Sequence, residues 1–218
     1  MARRLVIAFA DAAAGVRGIA ITGAGTLLAT PDGVRALPGL GAAPRATGGF
    51  ELALPGELEV AFDPAGGARG YLGATAVDGD AAVLDVEDDG GDALIRTVVI
   101  FLDGLTVSLS ARRPPGAQGH GQELLEAVLV EGDPPAEIAI ADPRLSTTYD
   151  GAGRVMRCGL ELWEGEESEF PRRAAGEASA HGELTQPGGA TTAVAFLDCH
   201  GDGGRRGLGV YAITTPVS

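Results

Sequence analysis

The chain contains no lysine and no asparagine, and its 16 basic residues are all arginine. A Schiff-base lysine and a Walker-type phosphate lysine are therefore both excluded. Only two cysteines are present among 218 residues, which is too few for a disulfide scaffold, and their spacing fits no metal motif. No apolar run approaches the roughly 18–20 residues that span a bilayer. These absences exclude several kinds of catalytic and binding site, but they do not indicate which kind the protein has.

The formal charge of the chain is −14, from 30 acidic and 16 basic residues. Such a surface repels phosphate backbones and anionic lipid, so neither nucleic acid nor membrane is a predicted partner.

Cys158 and Cys199 lie in apolar, strand-like segments, which predicts reduced thiols in the core. The apolar segment 5–10 is short and ends at Asp11, so we interpret it as a first strand and not as an export signal. Together these features predict a cytoplasmic protein.

Hairpin turns punctuate the sequence. In segment 101–107, two apolar runs flank Asp103 and Gly104, a pair typical of a tight type I′ hairpin with positive φ at both turn residues. Segment 58–62 alternates apolar with polar or small residues, as a strand with one buried face does. Similar segments recur, so about 13 to 15 strands are expected. Segment 31–49, rich in proline and glycine, is expected to be a long loop.

The predicted fold class is all-β and mostly antiparallel, because no βαβ rhythm and no long amphipathic helix is visible. The run Arg-Arg-Pro-Pro-Gly at 112–116 interrupts the strand pattern near the midpoint and predicts two packed β halves, 1–113 and 114–218. A single large β-sandwich is the alternative. Segment 94–102 is apolar on both faces, which predicts a strand covered on both sides. Segment 122–131 fits a short helix or a buried strand, and its length favours a strand.

The most unusual segment is 158–163, Cys-Gly-Leu-Glu-Leu-Trp. In a strand, Leu160 and Leu162 point to one side, and Glu161 and Trp163 to the other. If the leucines pack between layers, Glu161 and Trp163 can line a cavity, where burial raises the pKa of a carboxylic acid and suits it to general-acid catalysis. A solvated Glu161 beside an anchoring Trp163 is the alternative. Glu161 is thus a candidate catalytic residue, and Trp163 a candidate ligand contact.

Asp198 and His200 face the same side of another predicted strand, two residues apart. Such a pair can relay a proton, which makes Asp198 a second candidate catalytic residue and His200 a candidate ligand contact. An exposed polar pair is the alternative. Tyr149 and Tyr211 lie in or beside strand runs and could offer hydroxyls to a ligand. The three histidines are far apart in sequence, so no metal site is predicted, and no motif indicates a cofactor.

Three stretches carry a resemblance: Ser-Thr-Thr-Tyr-Asp-Gly at 146–151, the run 157–163, and the closing Gly-Leu-Gly-Val-Tyr at 207–211. They resemble the tandem lipocalin-like proteins related to carotenoid 1,2-hydratase (hydroxyneurosporene synthase). The resemblance implies two lipocalin-like halves with an apolar small molecule in a barrel or between the barrels. Some members of that group add water to an alkene or guide a cyclisation by acid chemistry. None of their catalytic residues maps onto a position of this chain.

Three hypotheses of function follow. The first is binding of an apolar small molecule, isoprenoid- or polyketide-like, in a β-barrel or inter-barrel cavity. The second is a cofactor-free hydratase, isomerase or cyclase, in which Glu161 or Asp198 protonates an alkene while Trp163 and the tyrosines shield the cation. The third is a structural or interaction module with a filled core. The sequence leaves open whether the protein is an enzyme and what its oligomeric state is.

Overall fold

The computed structural model describes residues 2–88, 93–165, 167–186 and 189–216. Within these ranges the chain forms 18 strands and two single-turn 3₁₀ segments, and it forms no α-helix. None of its described segments is a helix of the length and apolarity that crossing a bilayer takes. The predicted all-β, antiparallel class is confirmed: the strands form two nine-stranded half-barrel sheets.

The first sheet contains β1 (Ala2–Asp11), β2 (Val16–Ile21), β3 (Gly25–Thr30), β4 (Gly33–Pro38), β5 (Ala43–Pro44), β6 (Phe50–Leu54), β7 (Leu58–Phe62), β8 (Gly67–Leu72) and β9 (Thr75–Asp88). The second contains β10 (Leu94–Leu102), β11 (Leu105–Arg113), β12 (Leu124–Glu131), β13 (Ala136–Ala139), β14 (Asp142–Tyr149), β15 (Val155–Trp163), β16 (Arg172–Thr185), β17 (Thr191–Gly201) and β18 (Arg206–Thr215).

Both sheets have the same topology. The order is β4-β3-β2-β1-β9-β8-β7-β6-β5 in the first sheet and β13-β12-β11-β10-β18-β17-β16-β15-β14 in the second. In each, hairpin neighbours pair in sequence, and the first strand also pairs with the last, β1 with β9 and β10 with β18. The second sheet therefore repeats the strand order of the first, which the sequence did not reveal because no fixed repeat period is visible.

Three apolar layers hold the molecule together. One fills the concave side of the first sheet, where the rings of Phe9 and Phe62 lie 5.3 Å apart between centroids. A second fills the concave side of the second sheet, and a third lies between the two sheets. Strand β10 serves two of these layers, because Val99 points to the layer between the sheets and Val98 to the concave side. The predicted two-sided burial of segment 94–102 is therefore confirmed.

The change from one sheet to the other falls between Asp88 and Leu94, ahead of the division predicted at 113/114. The 112–116 break instead starts the connection from β11 to β12 within the second sheet. A Pro-Pro-Gly sequence marks a turn, but it carries no information about whether the chain then leaves the sheet. The domain boundaries at 113 and 114 stay a prediction. The ambiguous segment 122–131 is a strand from Leu124 onward.

Two local expectations were wrong. Segment 31–49 contains β4 and β5 and is not one long loop; β4 is an exposed edge strand with little apolar alternation. The 18 strands of the described residues also exceed the expected 13 to 15. In the β10–β11 hairpin only Gly104 takes a positive φ, 67°, whereas Asp103 does not, so the turn is not type I′. The Asp103 N–H donates to the Arg206 carbonyl at 3.3 Å, which extends the β10–β18 pairing into the turn. A positive φ at the second turn residue alone fits a type II turn.

Candidate functional site

The sequence-predicted site residues lie on two sides of the second sheet. Glu161 and His200 both line an open cleft of about 610 Å³ on the outer face of β14 to β17. Leu160 and Leu162 are buried on the opposite side, as predicted from the alternation. Small residues form part of the cleft lining, among them Gly159, which β14 and β16 flank.

Glu161 is a charge-paired carboxylate in this cleft. Its side chain is 42% exposed, and its Oε1 accepts a hydrogen bond from Arg173 Nε at 3.3 Å. The neighbouring Trp163 ring lies beneath the guanidinium of Arg144, 5.8 Å from Cζ to ring centroid. The geometry therefore places Glu161 and Trp163 in polar surroundings, and their roles in catalysis and ligand binding stay predictions.

Asp198 connects the two sheets. Its Oδ1 accepts a hydrogen bond from Nη1 of Arg17 at 2.9 Å, and the same nitrogen donates to the Leu197 carbonyl at 2.8 Å. Arg17 lies on β2 of the first sheet and is largely buried, whereas Asp198 is 66% exposed. A structural role is thus visible for Asp198 beside the predicted catalytic one. His200 follows on the same face and is exposed.

Tyr211 lies inside the second sheet and is fully buried. Its hydroxyl accepts from Arg96 Nη1 at 3.2 Å and shares a 3.1 Å hydrogen bond with Thr147 Oγ1. Burial raises the pKa of Tyr211 well above its ordinary value, so the phenol stays protonated near neutral pH. Tyr149, two residues after Thr147 on β14, is 40% exposed.

This phenol belongs to a group of side chains built around two buried charges, Arg96 and Glu123. We call it the arginine–glutamate cluster: Arg96, Arg113, His120, Glu123 and Tyr211. Glu123, just before β12, has no exposed side-chain surface, and its carboxylate accepts hydrogen bonds from Arg96 Nη2 and from Arg113 Nη2, the latter at 2.6 Å. His120 Nδ1 lies 3.0 Å from Glu123 Oε1. Burial pushes the pKa of Glu123 upward, but the hydrogen bonds from Arg113 and Arg96 outweigh it and hold that pKa below its ordinary value.

Sequence reasoning missed this cluster. Its one local signal is Arg96 in an otherwise apolar run, since a cation in a strand covered on both sides requires a partner. The partner lies 27 residues away, at the end of a connection whose other residues are mostly exposed, so no local pattern identifies Glu123.

The three histidines lie in separate surroundings: His181 Nε2 is 2.7 Å from the Val155 carbonyl oxygen, His120 is beside Glu123, and His200 is in the outer cleft.

A further cleft, of about 680 Å³, separates β9 and the β7–β8 turn of the first sheet from the outer face of β11 and β12 of the second. We call it the inter-sheet cleft. Its apolar lining includes Phe50, Val83, Leu105, Val128 and Val130. Its polar side chains are Asp63, Asp80, Thr106, Ser108, Glu131 and Glu137. Neither sheet alone forms this space, so only the packing of the two halves creates it.

Asp80 is exposed at the inter-sheet cleft, but its pKa differs from that of an ordinary surface carboxylate. Desolvation by the surrounding strands and, second, repulsion from the carboxylate of Asp11 raise its pKa. Asp11 is 5% exposed and fixed in place, because its Oδ2 accepts the Asp78 N–H at 2.9 Å and its Oδ1 the Ala13 N–H at 2.9 Å. The inter-sheet cleft therefore contains one carboxyl group, Asp80, that holds its proton more readily than an ordinary aspartate does.

Neither cysteine lines the outer cleft or the inter-sheet cleft. Cys158 and Cys199 are both free and buried, as predicted. Burial raises the pKa of the Cys158 thiol to about 11, and that of Cys199 is also raised by burial. Both thiols are therefore protonated near neutral pH and act as small core side chains.

Two solved structures share this architecture of two curled sheets. A protein assigned as an AttH from Nitrosomonas europaea superposes with a TM-score of 0.62 at 12% identity, covering 99% of this chain and 92% of that one. Kievitone hydratase from Nectria haematococca superposes with a TM-score of 0.52 at 7% identity, covering 97% of this chain and 88% of that one. No family model and no curated protein matches the chain. At these identities the likeness establishes a lipocalin-like fold.

Proposed function

We propose that this protein binds an apolar or amphipathic small molecule in the inter-sheet cleft. The observation that carries the proposal is an open space of about 680 Å³ with apolar side chains from both sheets. That volume is within the ~300–1,000 Å³ of ordinary ligand sites. The concave sides of both sheets, by contrast, are packed with buried side chains. The space between the halves is thus better suited to a ligand than either half-barrel interior.

The resemblance to carotenoid 1,2-hydratase relatives supports the same ligand class, since that group implies an apolar molecule either in a barrel or between the two halves. The relation to carotenoid 1,2-hydratase itself belongs to the proposal. The fold shared with kievitone hydratase is compatible with either binding or catalysis.

Fluorescence titration with N-phenyl-1-naphthylamine, an apolar probe that brightens in apolar surroundings, tests the proposal. Val83 is 44% exposed at the cleft, and Val83→Trp should fill part of it and weaken binding at least ~10-fold. Val34→Trp is the matched control, because Val34 is 36% exposed on β4 in a different cleft. Equal affinity in wild type and Val83→Trp, with Val34→Trp weakened instead, would place the ligand elsewhere. No saturable binding to wild type would remove the proposal.

A second candidate function is acid-catalysed addition of water to an alkene, favoured by the position of Asp80 among the apolar lining of the inter-sheet cleft and by the raised pKa of its carboxyl group. The Asp80 carboxyl would protonate one alkene carbon, water would add to the cation, and the proton lost from that water would return to Asp80. Incubation with geraniol in D₂O and mass spectrometry for a hydrated, deuterated product test it. Asp80→Asn should abolish the product, whereas Glu161→Gln should retain it; the reverse result would favour the outer cleft.

A further inference from the structure

The arginine–glutamate cluster lies apart from the proposed ligand site, since none of its members lines the inter-sheet cleft. Arg96 points to the concave side of β10, and its side chain is 3% exposed. Its neighbours there are apolar: Val98 follows on the same face, and Ile213 lies opposite on β18. The cluster is therefore a charged site in an apolar interior, at the end of the second half-barrel where β10 begins.

Glu123 uses only part of what Arg96 offers. Nε and Nη2 form one edge of a guanidinium group, and a carboxylate can accept two parallel hydrogen bonds from that edge. Glu123 accepts from Nη2 alone, and Nε of Arg96 is buried without a hydrogen-bond partner in the described part of the chain. The other oxygen of Glu123 contacts Arg113 and His120 instead. An unpaired buried donor is unfavourable, so a carboxylate that is free to turn can bond this edge better than Glu123 does.

The segment that carries Glu123 is held by little else. The structure describes all of the 114–123 connection, and Glu123 is its only buried residue. The backbone hydrogen bond from the Ala117 N–H to the Pro114 carbonyl, at 3.1 Å, lies within the connection. Outward movement of the connection therefore loses mainly the Glu123 contact. Breaking a buried ion pair leaves a charge uncompensated, but exchanging one carboxylate for another does not.

We infer that the end of the second half-barrel is a binding site for the carboxylate of a small apolar acid, and that Glu123 occupies this site as an internal competitor. The carboxylate of the acid bonds Nε and Nη2 of Arg96, its apolar part lies beside Val98 and Ile213, and the 114–123 connection moves outward. The inference goes beyond the proposed function and does not depend on it, because the two sites share no residue.

Isothermal titration calorimetry with hexanoate and hexanol at pH 7 tests the inference. Glu123→Ala removes the competitor, so it should bind hexanoate at least ~10-fold more tightly than the wild type does, with hexanol affinity unchanged. Glu177→Ala is the matched control, since it removes one carboxylate from an exposed pair with Arg157 outside the inter-sheet cleft. Equal hexanoate affinity in wild type and Glu123→Ala, or an equal gain in the control, overturns the inference.

A Glu123→Ala chain that is unfolded in buffer still gives a test by circular dichroism. Acetate supplies the carboxylate and the carbon that alanine lacks, so 0.2 M sodium acetate should restore the folded spectrum. Acetamide is the neutral molecule of the same shape, and at the same concentration with 0.2 M sodium chloride it should not. Refolding in both solutions, or in neither, overturns the inference.

The wild-type chain tests the outward movement. A glutamate-specific protease has to bind the side chain of Glu123, so it cleaves there only after the carboxylate has left Arg96. Hexanoate should speed this cleavage at least ~3-fold, because cleavage follows the population of the open form. Cleavage after the exposed Glu167 reports any direct effect on the protease and should stay constant. An unchanged rate at Glu123 in saturating hexanoate would mean that the acid does not displace Glu123, and the inference would fall.

Discussion

The two ends of β12 place the same side chain in two different environments. Glu123 precedes the strand and Glu131 closes it, and each carboxylate is held by two arginines. The partners are Arg96 and Arg113 at the first end, and Arg172 and Arg205 at the second. The Glu123 side chain is 0% exposed and that of Glu131 is 23% exposed. Each glutamate thus has two arginine partners, and Glu123 has His120 as a third; exposure to water is the main difference between the two ends.

That difference determines what each carboxylate contributes. A buried charge that loses a partner cannot turn to solvent, and breaking such a pair typically costs about 3–5 kcal/mol. A partly exposed pair is screened and rehydrated when it breaks, and contributes about 0–1 kcal/mol. The number of ion-pair partners is therefore a poor guide to how much each glutamate contributes to stability. Glu123 ties the end of the 114–123 connection to β10 and β11 through Arg96 and Arg113, whereas the contribution of Glu131 to stability is expected to be small.

Glu123→Gln should have the largest effect. The amide keeps the size of the side chain but leaves Arg96 as a buried cation without a compensating charge. We expect the free energy of unfolding to fall by about 3 kcal/mol or more. Urea denaturation followed by circular dichroism measures it, with Glu131→Gln as the matched control. A loss below ~1 kcal/mol in Glu123→Gln would show that water reaches the cluster and that the two ends are equivalent.

The second-largest difference between Glu123 and Glu131 is expected in how each contributes to the pH dependence of stability. The pKa of Glu123 is lower in the folded chain than in the unfolded one, so its contribution is complete above the unfolded pKa and is lost as pH falls through the folded pKa. Each unit of that difference is worth about 1.4 kcal/mol. We expect the wild type to lose stability progressively below about pH 4.5 and Glu123→Gln to lose markedly less over the same interval. Urea midpoints between pH 6 and pH 3 measure both.

Glu131 also has a lowered pKa, caused first by the hydrogen bond from Arg205. Its loss on acidification has the same sign, and solvent screening makes it smaller. If Glu131→Gln reduced the loss of unfolding free energy between pH 6 and pH 3 as much as Glu123→Gln does, burial would not be what distinguishes the two ends.

Much of the fold was predictable from the sequence because strand alternation is a local property. Segment 94–102 shows two apolar faces, and the structure places it between two apolar layers. Strand β4 was not predictable, because an exposed edge strand buries little and so has no apolar period. The type of the Asp103–Gly104 turn was not predictable either: the local residues favour type I′, whereas the observed turn is also hydrogen-bonded to Arg206, on a strand distant in sequence.

The candidate site was much less predictable than the fold. The inter-sheet cleft takes its lining from strands far apart in sequence, and Val83 or Ser108 has no local pattern that indicates a cleft. The alternation at Glu161 gave the correct side of the strand, but the partner Arg173 lies on the next strand, β16, and the sequence alone does not fix the register of that pairing. A sequence gives the direction of a side chain in a strand, and only tertiary packing decides what that side chain contacts.

Tyr211→Phe tests whether the buried end of β12 acts as a connected network. It removes one hydroxyl that bonds Arg96 and Thr147 but leaves the Arg96–Glu123 pair in place. We expect a loss of about 1 kcal/mol of unfolding free energy, the usual contribution of a buried hydrogen bond. In the double variant with Glu123→Gln, the losses should be non-additive by at least ~0.5 kcal/mol, because both groups bond the same guanidinium. Additive losses would mean that Tyr211 and Glu123 stabilise Arg96 independently.

The smallest effect is expected at the exposed end, where Glu131→Gln should cost at most about 1 kcal/mol in low salt. Arg172 keeps its hydrogen bond to Glu164 at 2.7 Å, and both arginines remain open to water, so neither is left as a buried unpaired charge. The remaining difference from wild type should shrink further in 0.5 M NaCl, since screening weakens the pair in the wild type as well. Urea denaturation at two salt concentrations measures this. A loss as large as that of Glu123→Gln, unchanged by salt, would require the Glu131 end to be as dry as the Glu123 end, and the contrast between them would have to come from something other than water.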